Sequence, residues 1–178
     1  RLELADLDAD NDLDITVLLD DVLTVFEQTG PAFSSYERRE VATAWEMPST
    51  QLPCDLDGDG DIDILTANTV VDEIALNENL TVHRSAVFPT SHAVEDTGSR
   101  SACLALDLDR DAAVDLVVAS EDTEALVVYL NDGSGPVAAR KQVLDAGTGI
   151  VSTVDGGDLD GDGDPDVIAG LIGEHAIA

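Results

Sequence analysis

The sequence predicts an all-β fold built from repeated units, and three observations predict it. The chain writes an aspartate ladder four times, at residues 6–14, 55–63, 107–115 and 158–166, each with Asp at positions 1, 3, 5 and 9 of a nine-residue loop. The loops begin 49, 52 and 51 residues apart, the period of a supersecondary unit that packs against its neighbours. Each loop is followed at once by a short, β-branched apolar run, too short for a buried helix.

The elements follow in order. After the loops come Ile15 to Leu19, Ile62 to Ala67, Leu116 to Ala119 and Val167 to Ala169, nearly uninterrupted apolar runs that read as strands buried on both faces. A second run follows in each complete unit: Val22 to Phe26, Ile74 to Leu76, and Leu126 to Leu130. Turn chemistry closes it, in Gln28 to Pro31, Asn77 to Asn79 and Asn131 to Pro136, where Asn, Asp and Gly accept the positive φ of tight turns. A third run is expected at Val82 to Phe88 and Val137 to Leu144, and a fourth, such as Ser101 to Leu106, leads into the next loop. Four short strands per repeat of about 50 residues describe a β-propeller blade. Residues 1–178 are thus expected to form part of one propeller domain: three complete blades and part of a fourth, cut from a longer chain.

The ladders carry the chemistry. Asp6, Asp8, Asp10 and Asp14 crowd the first loop; Asp55, Asp57, Asp59 and Asp63 the second; Asp107, Asp109, Asp111 and Asp115 the third; Asp158, Asp160, Asp162 and Asp166 the fourth. Carboxylates so close repel one another unless a hard cation sits among them, and Ca²⁺ takes 6–8 oxygen ligands from such an arrangement. The alternative is a solvated acidic turn without metal. An EF-hand would place its last carboxylate at position 12 between helices, and thrombospondin-type aspartate repeats are cysteine-rich, whereas this chain has two Cys. A glycosidase-like carboxylate pair has no reason to recur four times at one period.

The pattern Asp-x-Asp-x-Asp-Gly-x-x-Asp, followed by a buried strand and then a hairpin with Asn-Asp-Gly-x-Gly, resembles the FG-GAP/VCBS repeats of integrin-α-type β-propellers. The resemblance covers essentially the whole chain. It implies up to four Ca²⁺, one per loop, held by the Asp side chains at positions 1, 3, 5 and 9. It also implies a backbone carbonyl ligand from position 7, here Asp12, Asp61, Ala113 and Asp164. The loop would join the inner strand of each blade to the next. The third loop is expected to bind most weakly: it has Ala112 at position 6, where the second and fourth have Gly60 and Gly163, and Arg110 at position 4.

The formal net charge is −30, and 19 of the 38 acidic residues lie in the four loops. The remainder is still acidic, which argues against nucleic acid and anionic membrane as partners. The chain holds no apolar run long enough to span a bilayer.

Other residues read more plainly. Cys54 and Cys103 differ by an odd offset from their loops, which puts them on opposite faces of equivalent strands and favours buried thiols over a disulfide. His83, His92 and His175 share no repeat position and no zinc-ligand spacing. Ser134 belongs to a turn, and Trp45 and Tyr36 to the core. Asn79-Leu80-Thr81 is a glycosylation sequon expected on an exposed hairpin.

The function expected is extracellular or cell-surface recognition or adhesion, calcium-dependent, with a protein or glycan partner and no enzymatic activity. The other readings are a structural spacer of a larger extracellular assembly and an accessory domain of an enzyme whose catalytic part lies elsewhere. Specificity on such a fold belongs to loops.

Overall fold

A computed structural model describes residues 2–19, 22–41, 50–68, 73–80, 88, 90–96, 100–120, 125–133, 140–145 and 150–172. Its strands form three four-stranded antiparallel blades and a two-stranded fourth unit. Blade one is β1 (Leu2–Ala5), β2 (Asp14–Leu19), β3 (Val22–Gln28) and β4 (Tyr36–Glu40). Blade two is β5 (Thr50–Cys54), β6 (Asp63–Asn68), β7 (Glu73–Glu78) and β8 (Thr90–Asp96). Blade three is β9 (Arg100–Leu106), β10 (Asp115–Ser120), β11 (Ala125–Leu130) and β12 (Arg140–Asp145). The fourth unit is β13 (Ile150–Gly157) and β14 (Asp166–Ile172). The first strands approach one another in sequence, β1 beside β5, β5 beside β9 and β9 beside β13. This is the arrangement of propeller blades expected from the repeat.

Stacking of the blades explains the uninterrupted apolar runs. Side chains alternate across a strand, so a blade between two neighbours needs both of its faces apolar. In β6, Ile64 packs with Leu7, Leu23, Val25 and Val41 of blade one, while Leu65 and Ala67 pack with Cys103, Leu116 and Val118 of blade three. In β10, Leu116 and Val118 face blade two, and Val117 and Ala119 face Val151 and Ala169 of the fourth unit. Every residue of β6 and β10 is buried. The core is a series of slabs between blades, filled by Leu, Ile, Val and Ala.

Three expectations need correction. The fourth strand described for blade two is β8, Thr90–Asp96, beyond the run Val82 to Phe88 where a strand is expected; of that run only Phe88 is described, outside any strand and packed against the first slab. Residues 81–87 are outside those described. The fourth strands are edge strands with polar sequences such as Tyr-Glu-Arg-Arg-Glu in β4, so an apolar run is the wrong guide to them; in β12 both Val143 and Leu144 are exposed.

The turns also differ. Asn77 is not a turn residue but a fully buried member of β7, donating from Nδ2 to the Ile64 carbonyl at 2.8 Å and to Thr66 Oγ1 at 3.2 Å. After β3 the chain turns through a short 3-10 helix, Pro31–Phe33, with Phe33 rather than Gly30 at positive φ. Gly133 does adopt the expected positive φ.

The two cysteines are thiols on opposite faces of equivalent strands, as expected, but that placement does not keep them apart. Opposite faces of equivalent strands in adjacent blades are the two faces that meet, and Cys54 and Cys103 pack in the same slab between blades two and three. Both are thiols, Cys103 buried and Cys54 half-buried, and burial pushes the Cys54 thiol far above its ordinary range. Tyr36 is half-buried on β4 and donates to Gln28 Oε1 at 3.4 Å. His92 lies on β8, whereas His83, His175, Ser134 and Trp45 are outside the described residues. No described helix is long and apolar enough to cross a membrane.

Candidate metal centres

Each aspartate ladder joins the first strand of a unit to its second, and its backbone takes one shape four times. Positions 4 and 6 both have positive φ: Ala9 and Asn11, Gly58 and Gly60, Arg110 and Ala112, Gly161 and Gly163. Two left-handed residues in such close succession coil the loop tightly and turn its amides inward. The position-1 carboxylate collects them. Asp6 accepts from the amides of Asp10 and Asn11, Asp55 from Gly58 and Gly60, Asp107 from Asp111 and Ala112, and Asp158 from Gly161 and Gly163, at 2.7 to 3.2 Å.

The loops bring candidate ligands together in threes. Carboxylate oxygens lie within 4.8 Å of one another in the groups Asp6, Asp8 and Asp10; Asp55, Asp57 and Asp63; Asp107, Asp109 and Asp115; and Asp158, Asp160 and Asp166. Positions 1 and 3 are therefore common to all four. Position 5 joins them in the first loop and position 9 in the others. Asp59, Asp111 and Asp162 instead accept the amide of position 7, from Asp61, Ala113 and Asp164. Asp10 accepts the corresponding amide of Asp12 while staying in its group.

Position 9 has a second role that the spacing alone does not disclose. In the first three loops one carboxylate oxygen accepts the amide of position 2: Leu7 to Asp14 at 2.9 Å, Leu56 to Asp63 at 3.2 Å, Leu108 to Asp115 at 2.7 Å. The other accepts the amide at the end of the third strand, from Gln28, Asn79 or Asn131, each at 2.8 Å. In the fourth loop Asp166 accepts the Leu159 amide at 2.9 Å. A single buried carboxylate thus closes the loop and ties it to the strand hairpin. Asp14, Asp63 and Asp115 are fully buried, a cost that charge-assisted hydrogen bonds to amides offset.

Asn79 and Asn131 carry the tie into the neighbouring blade. Asn79 Nδ2 donates to the carbonyls of Leu7 in blade one and Ile62 in its own loop, at 2.8 and 3.0 Å. Asn131 Nδ2 does the same to Leu56 and Val114, at 2.8 and 3.1 Å. The expectation of an exposed, glycosylated Asn79 is therefore overturned: the residue is fully buried and its amide nitrogen is committed to two carbonyls. The sign in the sequence was the common offset, since both Asn residues stand 16 positions after their position-9 Asp.

The electrostatics favour a cation. Asp8 is 3% exposed, and its Oδ1 has no hydrogen-bond partner among the described residues, nor does Oδ1 of Asp12. An unpartnered buried carboxylate oxygen is costly. Burial first, and then the charges of Asp10, Asp14 and Glu27, push the Asp8 carboxyl up to about 6. Burial also lifts Asp63 to about 6, opposed by its amide bonds and helped by Asp57 and Asp59; Asp14 and Asp57 shift upward for the same leading reason. A divalent ion is the group that would satisfy these oxygens and reverse the shifts.

The third loop is compensated differently. Arg140 at the start of β12 places Nη2 3.3 Å from Oδ2 of Asp109, and Arg110 forms an ion pair with Asp164 in the fourth loop. Among the described residues no basic side chain pairs with the first loop.

The fold and the repeat both have counterparts among known proteins. The chain is similar over 94% of its length, at 23% identity and a TM-score of 0.66, to an Agrocybe aegerita lectin described as recognising non-reducing terminal N-acetylglucosamine. It is similar over 96% of its length, at 12% identity and a TM-score of 0.61, to BBS1N as solved in complex with ARL6DN. The chain spans 45% and 50% of those two structures, about half of each, and the likeness is one of fold. No curated protein matches it in sequence. The model of the FG-GAP-like repeat matches residues 55–118 and again 107–169, each match running from one aspartate ladder into the next, and the chain belongs to that family.

Proposed function

We propose that this chain is a calcium-binding propeller module for extracellular recognition or adhesion, without catalytic activity of its own, whose partner is a protein or a glycan. One observation carries the calcium reading: four equivalent loops each gather three carboxylates, and in the first a buried carboxylate oxygen has no partner among the described residues. An all-oxygen, all-carboxylate donor set suits a hard cation, and the flexible geometry of several carboxylates on a small loop suits Ca²⁺ better than the strict octahedron of Mg²⁺. Asp6, Asp8 and Asp10 would hold the ion in loop one, and positions 1, 3 and 9 in the others. The ion would cancel repulsion among the loop carboxylates and so stiffen the joint between the first two strands of each blade. Recognition then falls to the loops that a rigid blade stack displays. The lectin among the structures of like fold is consistent with a glycan partner.

Thermal melting tests the calcium reading. Millimolar Ca²⁺ should raise the midpoint relative to chelator, because an ion that binds only the native state stabilises by mass action. The gain should be larger at pH 7.5 than at pH 5. Asp8 and Asp63 have folded values of about 6 against 3.8 unfolded, so the metal-free fold holds more protons in that window and loses stability as pH rises through it. Calcium restores what ionisation removes. A midpoint indifferent to Ca²⁺ at pH 7.5 overturns the reading; a glycan array and a pull-down from extracellular matrix then address the partner.

A further inference from the structure

The three complete blades offer different surroundings to the same loop, and the difference lies outside the loop. One residue, at or next to the end of the third strand, precedes the Gln28, Asn79 or Asn131 that is tied to the position-9 Asp. It is Glu27 in blade one, Glu78 in blade two and Leu130 in blade three. Its partner across the sheet is Glu37, Thr90 and Arg140 in turn. At this place, beside the position-3 Asp of the loop, blade one presents two acids that share Arg39, at 3.2 Å from Glu27 and 3.7 Å from Glu37, so its arginine is held on acids outside the loop, whereas blade three presents a hydrocarbon and a guanidinium. The charges of Glu27 and Glu78 act on Asp8 and Asp57, whereas Asp109 receives Arg140.

Resting on the calcium reading above, we propose that Arg140 is a built-in counter-ion of the third loop, competing with the metal for Asp109, so that this loop is neutralised by arginine where the first depends on the cation. An exposed ion pair adds little to fold stability, and Arg140 and Asp109 are 56% and 32% exposed. Its effect on a divalent ion is a different matter. The guanidinium lies on an oxygen of a carboxylate grouped with Asp107 and Asp115, so a cation entering there displaces it or meets its charge at short range. Arg110 strengthens the contrast, since its pairing with Asp164 ties the third loop to the fourth by a second arginine.

Calcium titration calorimetry at low ionic strength tests this on the chain, with Arg140→Gln, Arg140→Glu, Asp109→Asn and the double variant Arg140→Gln/Asp109→Asn. Arg140→Gln should tighten the weakest step by about tenfold, a screened single-charge effect, and Arg140→Glu by more. The double variant should gain less over Asp109→Asn than Arg140→Gln gains over wild type, because the guanidinium is no longer held in the loop by Asp109. Steps left unchanged by Arg140→Gln and Arg140→Glu, in a chain that takes up calcium, overturn the proposal, as does a gain of undiminished size in the Asp109→Asn background. Absence of calcium uptake by wild type and variants alike overturns the calcium reading itself, and this proposal with it.

Discussion

At the scale of single residues, the aspartates of the ladder divide into two kinds of work. Positions 1 and 3 gather in every group that could hold a cation. Position 9 is a hub for backbone amides, and its pairing with Asn79 or Asn131 makes each asparagine a staple between blades. Asn131→Ala removes three side-chain hydrogen bonds, two donated to the carbonyls of Leu56 and Val114 and one accepted from the Gly133 amide, and strands both carbonyls. Loss of roughly 1–3 kcal/mol of unfolding free energy is expected, the penalty for unsatisfied buried acceptors. Chemical denaturation with and without Ca²⁺ measures it; a loss confined to the calcium-loaded state would place Asn131 in metal binding instead.

At the scale of the loop, the strain falls where glycine is missing. Positions 4 and 6 have positive φ in all four loops, occupied by glycine in the second and fourth, by Ala9 and Asn11 in the first, and by Arg110 and Ala112 in the third. Asn tolerates this region better than Ala, whose Cβ crowds the neighbouring carbonyl. Position 6 was legible in the sequence because Gly60, Gly163 and Asn11 stand there. Gly58 and Gly161 mark position 4 in the same way. Ala112 is exposed, so its methyl contributes no packing. Ala112→Gly should therefore stabilise the fold by about 1 kcal/mol, relief of strain outweighing the added freedom of the unfolded chain. A denaturant midpoint unchanged or lowered in chelator would show that the third loop carries no such strain.

At the scale of the whole chain, stability comes from slabs between blades, and its weakness is at the faces without a neighbour. Leu7 and Leu56, at position 2 of their loops, are buried against the following blade, whereas Leu159 at the same position is 63% exposed. Ile172 on β14 is 59% exposed, and on the opposite side of the stack Leu2 and Leu4 of β1 are 56% and 55% exposed. Open apolar faces of this sort promote association. Expressed by themselves, the 178 residues should oligomerise or aggregate in a concentration-dependent way, seen by light scattering; a monomer with a single cooperative melt contradicts this.

The sequence by itself determined the repeat, the four loops, the second and third strands of each complete blade, the first strand of blade three and the acids from which a metal site could be built. These are local patterns: a spacing of alternate carboxylates, a run of β-branched residues, a period. The tertiary structure alone decided what depends on contacts between blades. The Asn79 side chain reaches Leu7 across 72 residues and Asn131 reaches Leu56 across 75, so an asparagine that reads as a glycan acceptor becomes a buried tie. Cys54 and Cys103 meet because adjacent blades turn opposite faces to each other. The polar fourth strands are set by pairing with the third rather than by any apolar pattern, and Arg140 finds Asp109 only because that pairing delivers it. Local chemistry names the residues of a site; the stacking of blades sets which charges and donors surround them, because those partners lie a blade or a strand away in the chain.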